Sequence, residues 1–213
     1  MPSTRPFVLG ITGASGAIYA TRLLEVLVGL GHHVHLTISR SGRTLLQQEL
    51  GLDIALDRFD AGSLGLNVST ESLARITYHH FGDFLSPIAS GSALTAGMVI
   101  CPCSGGTLSA VALGSSTNLV QRAADVHLKE RRKLILVTRE TPLSLIHLDN
   151  MKRVCEAGAV VLPASPGWYH GVREVGQLVD FIVARILDQL EVEHQLSQRW
   201  GSAPSGPAER GER

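Results

Sequence analysis

The sequence has little of what marks secreted, membrane or nucleic-acid-binding proteins. Only 5% of its 213 residues are aromatic, and three are cysteines. An odd number of cysteines, with no secretory leader pattern before them, predicts free thiols in a reducing cytoplasm. No apolar run reaches the roughly 20 residues that cross a bilayer, so we expect no membrane span.

The sequence also lacks an excess of either charge. Lysine and arginine total 19, the same number as aspartate and glutamate. A chain without net charge has no long-range field that would attract nucleic acid or an anionic membrane. We expect neither as a partner, and any anion-binding site must be local.

The sequence does contain apolar residues in a repeating pattern, and 44% of the chain is hydrophobic. Short apolar runs, which predict strands, alternate with segments of helical periodicity. The predicted strands are 7–11, 34–39, 96–104, 133–140 and 159–164, and the predicted helices are 17–30, 41–50, 105–114, 118–130, 145–157 and 172–190. This order predicts a single α/β domain, residues 1–200, with a three-layer, open, mostly parallel sheet of the Rossmann-like or flavodoxin-like type.

Two segments do not fit this alternation. Residues 51–76 have poor periodicity and many Gly, Asp and Ser residues, which predicts loops and short elements. Residues 201–213 are polar and rich in Gly and Pro, which predicts a disordered tail.

The first predicted strand ends in a turn suited to an anion. Thr12 is followed by Gly-Ala-Ser-Gly, whose glycines allow a close backbone approach, and the next helix would present free N–H groups. The dinucleotide pattern is incomplete, because Ser15 and Ile18 stand where glycine is expected and no acidic residue follows Ser39 and Arg40. The turn predicts a phosphate site and disfavours NAD; a tight turn without a ligand is the alternative.

A second turn of this kind follows the predicted strand 96–104. Residues 104–107 open a helix of small residues, so hydroxyl and N–H groups again follow a strand's carboxyl end. Two such turns predict one mononucleotide held by both. Cys101 and Cys103 have too few companions for zinc and the wrong spacing for a redox pair, so we predict small, buried apolar side chains.

Four cations predict a second anion pocket. Arg122 and Lys129 are seven residues apart on one predicted helix, which places them on nearly the same face. Arg139 ends a strand, Arg185 lies on the last helix, and Tyr169 follows the last strand. Together they predict a second phosphate pocket, although solvated surface charge explains each cation alone. The nine histidines lack the pairing of a metal site, and we expect no metal.

Five segments, in this order along the chain, resemble the UbiX family of flavin prenyltransferases. They are TGASGA at 12–17, CPCSGGTLSA at 101–110, NLVQRAADVHLKERR at 118–132, TRETPLSLIHLDNM at 138–151 and PASPGWYHG at 163–171. The resemblance implies binding of FMN and dimethylallyl phosphate, and joining of the isoprenyl unit to flavin N5 and C6 without a metal. It also implies a homo-dodecamer with active sites between subunits, and a UbiD-type decarboxylase as recipient of the prenylated FMN.

The resemblance further implies roles for individual residues. FMN would be held by Gly13, Ala14, Ser15, Ser39, Ser104, Gly105, Gly106, Thr107 and Arg139. Ser15 and Glu49 would manage the proton at flavin N5, and Glu140 would be the acid for the departing phosphate. The prenyl substrate would contact Phe84, Arg122, Lys129, Tyr169, Arg185 and Trp200. The aromatic faces would stabilise an allylic cation, more weakly at Phe84 because the family commonly has Trp there.

Other functions stay open on the sequence alone. An FMN-dependent cysteine decarboxylase would share the flavin-binding architecture, but the loop after the second strand lacks an obvious catalytic histidine. A flavin carrier or regulatory subunit would leave Glu49, Glu140 and the cations unexplained. A short-chain reductase is the weakest alternative, because its Tyr-x-x-x-Lys relay is absent. The downstream decarboxylase, and the choice between monophosphate and diphosphate, are not determined by these residues.

Overall fold

The computed structural model describes residues 4–168 and 171–197. Within these residues the strands are β1 Phe7–Ile11, β2 Val34–Ile38, β3 Ile76–Tyr78, β4 Gly97–Cys103, β5 Leu134–Thr138 and β6 Val160–Val161. The α-helices are α1 Ala17–Gly29, α2 Arg40–Leu50, α3 Thr70–Leu73, α4 Gly105–Leu113, α5 Leu119–Lys129, α6 Leu145–Glu156 and α7 Val175–Gln189. The predicted disordered tail lies outside the described residues.

The six strands form one sheet in the order β3-β2-β1-β4-β5-β6, and every described pair is parallel. This is the Rossmann order, so the predicted α/β class and open parallel sheet are confirmed. The chain changes direction of winding between β1 and β4, which leaves a crevice beyond their carboxyl ends. Ligands of such sheets bind in that crevice.

Alternate strand residues face opposite helical layers, as the pleat requires. Leu9 packs in the cluster that contains α1 and α7, whereas its neighbour Val8 packs with α4, α5 and α6. The predicted burial of Cys101 and Cys103 is confirmed, since both are at most 1% exposed. Burial raises the pKa of both thiols, that of Cys103 to about 12.

The segment of poor periodicity contains β3, α3 and short 3₁₀ turns, in agreement with the prediction of short elements. The strand β3 is only three residues long and lies at the sheet edge beside β2, too short for alternation to be recognised. Helix α7 begins at Val175 because Glu174 and Gln177 form a capping box there. Among the described helices, none is long and apolar enough to cross a membrane.

Candidate functional site

Three turns meet at the carboxyl ends of β1, β2 and β4. The first and second are pressed together, because a Cβ added at Gly13 would lie 2.5 Å from the Cβ of Ser41. A Cβ at Gly42 would likewise lie 2.5 Å from the carbonyl oxygen of Ile11. Ser39 caps α2 by accepting a hydrogen bond from the Gly42 N–H at 3.0 Å. Larger residues at these glycines would separate the turns.

The start of α1 is already bound to an anion, which is the carboxylate of Glu49. Glu49 accepts hydrogen bonds from the Gly16 N–H at 2.9 and 3.2 Å and from the Ala17 N–H at 2.8 Å. The prediction of free N–H groups here is therefore wrong for these two amides, because a side chain 33 residues later in the chain takes them. An external phosphate must use other donors.

The environment of Glu49 favours its ionised form. Partial burial alone would raise its pKa, but hydrogen bonds from the Ser15 hydroxyl and the two amides, with the charge of Arg139, lower it overall. Ser15 and Glu49, predicted to act together, are in contact. Arg139 lies over the same turn, where its Nε donates to the carbonyl oxygen of Ser15 at 3.3 Å.

The turn after β4 is joined to the turn after β1 through Thr12. The Thr12 hydroxyl donates to the Pro102 carbonyl at 2.7 Å and accepts from the Ser104 N–H at 2.9 Å. Ser104 then caps α4, accepting from the Thr107 N–H at 3.3 Å and donating to the Thr107 hydroxyl at 3.0 Å. A Cβ at Gly106 would meet no atom within 4 Å, so the first turn of α4 faces open space.

Glu140 and His147 lie side by side against this turn. The Glu140 Oε2 atom lies 4.0 Å, and the His147 Nε2 atom 3.2 Å, from the position of a Cβ at Gly105. The Thr141 N–H donates to Glu140 Oε1 at 3.3 Å. The Ser144 N–H donates to His147 Nδ1 at 3.2 Å, so the neutral ring carries its proton on Nε2 and faces Gly105 with a donor.

On its predicted helix His147 is expected to be structural, and its capping contacts agree with that; its position beside Gly105 was not predicted. It lies at the third position of α6 in a capping box with Ser144, where Glu or Gln is the usual partner. The spacing Ser-x-x-His before a helix was therefore a usable signal. The contact with Gly105 leaves no signal in the sequence, because it depends on how α6 packs on α4.

One chain does not bring the predicted cations together. Arg122 donates to Ala89 and pairs with Asp125 at 2.8 Å, and Lys129 pairs with its neighbour Glu130. Lys129 ends α5, about 15 Å along the helix from its start. That end lies at the amino edge of the sheet, where His127 bonds Thr95 at 2.8 Å just before β4.

The fourth cation lies on the other side of the sheet. Arg185 belongs to α7, packed on the opposite face from α5, and pairs with Asp188 at 2.8 Å. Phe84 lies in the loop before Pro87, with 47% of its surface exposed. Tyr169 and Trp200 lie outside the described residues. Within the described ranges, no three His, Cys, Asp or Glu side chains form a group that could hold a metal ion.

Most of the chain is similar to known flavoproteins. Residues 1–187 match the flavoprotein family. The chain is 46% identical over 203 residues to the flavin prenyltransferase UbiX of Pseudomonas aeruginosa, covering 94% of this chain and 96% of that protein.

Two solved structures share the fold over 95% of this chain and the whole of each other chain. One is AnUbiX (PadA1) in complex with FMN and dimethylallyl pyrophosphate, at a TM-score of 0.81 and 34% identity. The other is a dodecameric FMN-dependent UbiX-like decarboxylase from Escherichia coli O157:H7, at 0.79 and 36%.

Proposed function

The chain belongs to the flavoprotein family and, within it, to the UbiX flavin prenyltransferases; from that membership we propose that it transfers the dimethylallyl group of dimethylallyl phosphate to N5 and C6 of reduced FMN. The observation that carries the proposal is the convergence of four separate chain segments at one sheet edge. Ser15, Ser39, Ser104 and Arg139 follow β1, β2, β4 and β5 and lie around the same crevice.

The residues at this edge fit a flavin mononucleotide. Hydroxyl groups from Ser15, Ser39 and Thr107, the cation of Arg139 and the open space at Gly106 together form a polar, donor-rich cradle. Such groups suit a phosphomonoester and a ribityl chain. The residues that would hold FMN are Gly13, Ala14, Ser15, Ser39, Ser104, Gly105, Gly106, Thr107 and Arg139. When bound, FMN would supply the electron-rich N5 and C6 atoms, which form bonds to two different carbons of the isoprenyl unit.

The acidic residues divide the proton handling between them. Glu49 stays ionised through its contacts with Ser15 and the α1 amides, so it orients the Ser15 hydroxyl as a proton carrier. Glu140 faces the α4 turn from the end of β5 and donates a proton to the departing phosphate oxygen as the allylic C–O bond breaks. Charge on that phosphate is neutralised by cations, so the proposal requires no metal.

We propose that those cations come from more than one subunit. Arg122 and Lys129 lie on one face of the sheet and Arg185 on the other, so a common pocket requires neighbouring copies. A dodecameric relative supports such an assembly. Tyr169, Trp200 and Phe84 would complete the substrate pocket.

The product implies a downstream partner, which we propose is a UbiD-type decarboxylase that uses prenylated FMN. Both proteins would work in the cytoplasm, in keeping with the three free cysteines of this chain. A cysteine decarboxylase is the second candidate only by shared architecture, and no described contact favours it.

Mass spectrometry of the flavin tests the activity. Protein loaded with FMN, reduced under anaerobic conditions and mixed with dimethylallyl monophosphate should yield a flavin heavier by one C5H8 unit. A parallel reaction with the diphosphate measures which phosphate ester is preferred. A second, with a cysteine-terminated peptide, tests the cysteine decarboxylase alternative. A flavin of unchanged mass with both phosphates would refute the activity.

Two variants test the assignment of Glu140. Glu140→Gln should slow prenylation and leave FMN uptake intact, whereas Glu156→Gln, an exposed glutamate at the end of α6, should behave as the unmodified protein. Loss of FMN uptake in Glu140→Gln would show that its role is misplaced.

A further inference from the structure

A single buried hydroxyl joins the two turns on which the proposed function rests. Thr12 is 2% exposed and stands at the first position after β1. Its hydroxyl contacts two groups at the end of β4, 90 and 92 residues later in the chain, at 2.7 and 2.9 Å. The Thr12 N–H also donates to the Pro102 carbonyl, at 3.3 Å.

The direction of both side-chain hydrogen bonds is fixed by chemistry. The Pro102 carbonyl oxygen can only accept, and the Ser104 N–H can only donate. The Thr12 hydroxyl must therefore act as donor and acceptor at once. Valine has the same shape but can do neither, and a thiol does both weakly.

The hydroxyl holds the residue from which the α4 turn is built. Ser104 is the N-cap of α4, and its own hydroxyl fixes both the N–H and the hydroxyl of Thr107. A displacement of Ser104 would therefore move the whole 104–107 turn relative to the 13–15 turn. Under the proposed function, both turns bind the same mononucleotide.

We propose that Thr12 is a positioning residue, which sets the spacing of the 13–15 and 104–107 turns and thereby the affinity for FMN. The inference rests on the proposed function but concerns only FMN binding, not prenyl transfer. It assigns a role to a residue that touches neither the reacting atoms nor, through its side chain, open solvent.

The chain offers a matched control in Thr37. This threonine is also fully buried, lies on β2 beside Gly10 of β1, and its hydroxyl has no hydrogen-bond partner among the described residues. Thr37→Val makes the same chemical change as Thr12→Val and removes no hydrogen bond. The two variants therefore separate loss of the link from a general change in core polarity.

The test is an FMN titration of full-length wild type, Thr12→Val, Thr12→Ser, Thr12→Cys and Thr37→Val, followed by flavin fluorescence. Circular dichroism and size-exclusion chromatography establish that the titrated fraction is folded and assembled. Thr12→Val should bind FMN about tenfold more weakly or worse, the loss expected for two hydrogen bonds. Thr37→Val should match wild type, and Thr12→Ser should lie within about threefold of it.

Serine and cysteine decide the matter if Thr12→Val does not fold. Serine and cysteine side chains have nearly the same shape. If Thr12 acts only through packing, Thr12→Ser and Thr12→Cys should bind FMN with equal affinity. If it acts through its hydrogen bonds, Thr12→Cys should bind FMN more weakly. Equal affinities for serine and cysteine, wild-type affinity in folded Thr12→Val, or equal losses in Thr12→Val and Thr37→Val would each overturn the inference. Wild-type protein that binds no FMN would overturn the proposed function itself, and the inference with it.

Discussion

Replacing Glu49 should destabilise the protein by an amount that depends on pH. The Glu49 carboxylate stands in for an N-cap, because it binds the two amides at the start of α1 at 2.8 to 3.2 Å. Loss of a side-chain cap costs about 0.5–2 kcal/mol, and a charge at a helix N-terminus adds about 0.3–1 kcal/mol. Glu49 is exposed, so solvent screening keeps the charge contribution at the lower end.

We expect Glu49→Ala to lower the free energy of unfolding by about 1.5 kcal/mol at pH 7, a fall in Tm of about 3–6 °C for a chain of this length. Glu49→Gln keeps an acceptor and loses only the charge, so its loss should be much smaller, about 0.3–0.5 kcal/mol. Urea denaturation of the FMN-free protein measures both values.

The pH dependence follows from the sign of the pKa shift. The pKa of Glu49 is lowered in the folded protein from 4.5, so its carboxylate stabilises the fold above that value. The contribution is lost as the pH falls from 4.5 through the lower folded pKa. The difference between wild type and Glu49→Gln should therefore be full at pH 7 and shrink below pH 4.5.

Glu71→Gln is the control, because its side chain is 82% exposed and, within the described ranges, forms an ion pair with Arg75 four residues later. Such pairs contribute a few tenths of a kcal/mol, roughly. Wild-type stability in Glu49→Ala, or a gap to wild type that does not change between pH 7 and the acid range, would refute the capping argument.

Three further predictions concern other parts of the chain. A thiol reagent should modify one cysteine per native chain, which is the exposed Cys155. The reagent should reach Cys101 only after unfolding, because that thiol is buried and burial raises its pKa. Intact-mass spectra with two or more adducts on the native protein would contradict this. Arg139→Ala should weaken FMN binding about tenfold, as a charged hydrogen-bond donor is lost, and a normal titration would argue against the placement. The methyl group of Gly105→Ala would press on the ring of His147, so in urea melts the effect of Gly105→Ala on stability should be more favourable, by about 1 kcal/mol, in a His147→Ala background than in wild type. Equal effects in the two backgrounds would exclude that contact.

The sheet could be predicted because its determinants are local. β1 has the predicted bounds, and α1 ends one residue before its predicted limit, since apolar runs and helical spacing are read over a few residues. Once the strands are parallel, the residues that follow them must share one edge. The proximity of Ser15, Ser104 and Arg139 was therefore foreseeable.

The contacts that were not foreseen join distant segments. Glu49 takes the α1 amides from 33 residues away, and His147 reaches Gly105 through the packing of α6 on α4. Neither contact leaves a periodic signal. Arg122 and Arg185 lie on opposite faces of the sheet because of the order of the crossover connections between strands. The spacing of residues along one helix does not reveal that order.

The separation of those two arginines has a genetic consequence. Under the proposed function, a mutation at Arg122 and a mutation at Arg185 damage different contributions to a shared pocket. Two such inactive chains, expressed together, could then assemble some pockets with neither defect. Intragenic complementation between the two alleles would follow from the crossover connections that place α5 and α7 on opposite faces of the sheet.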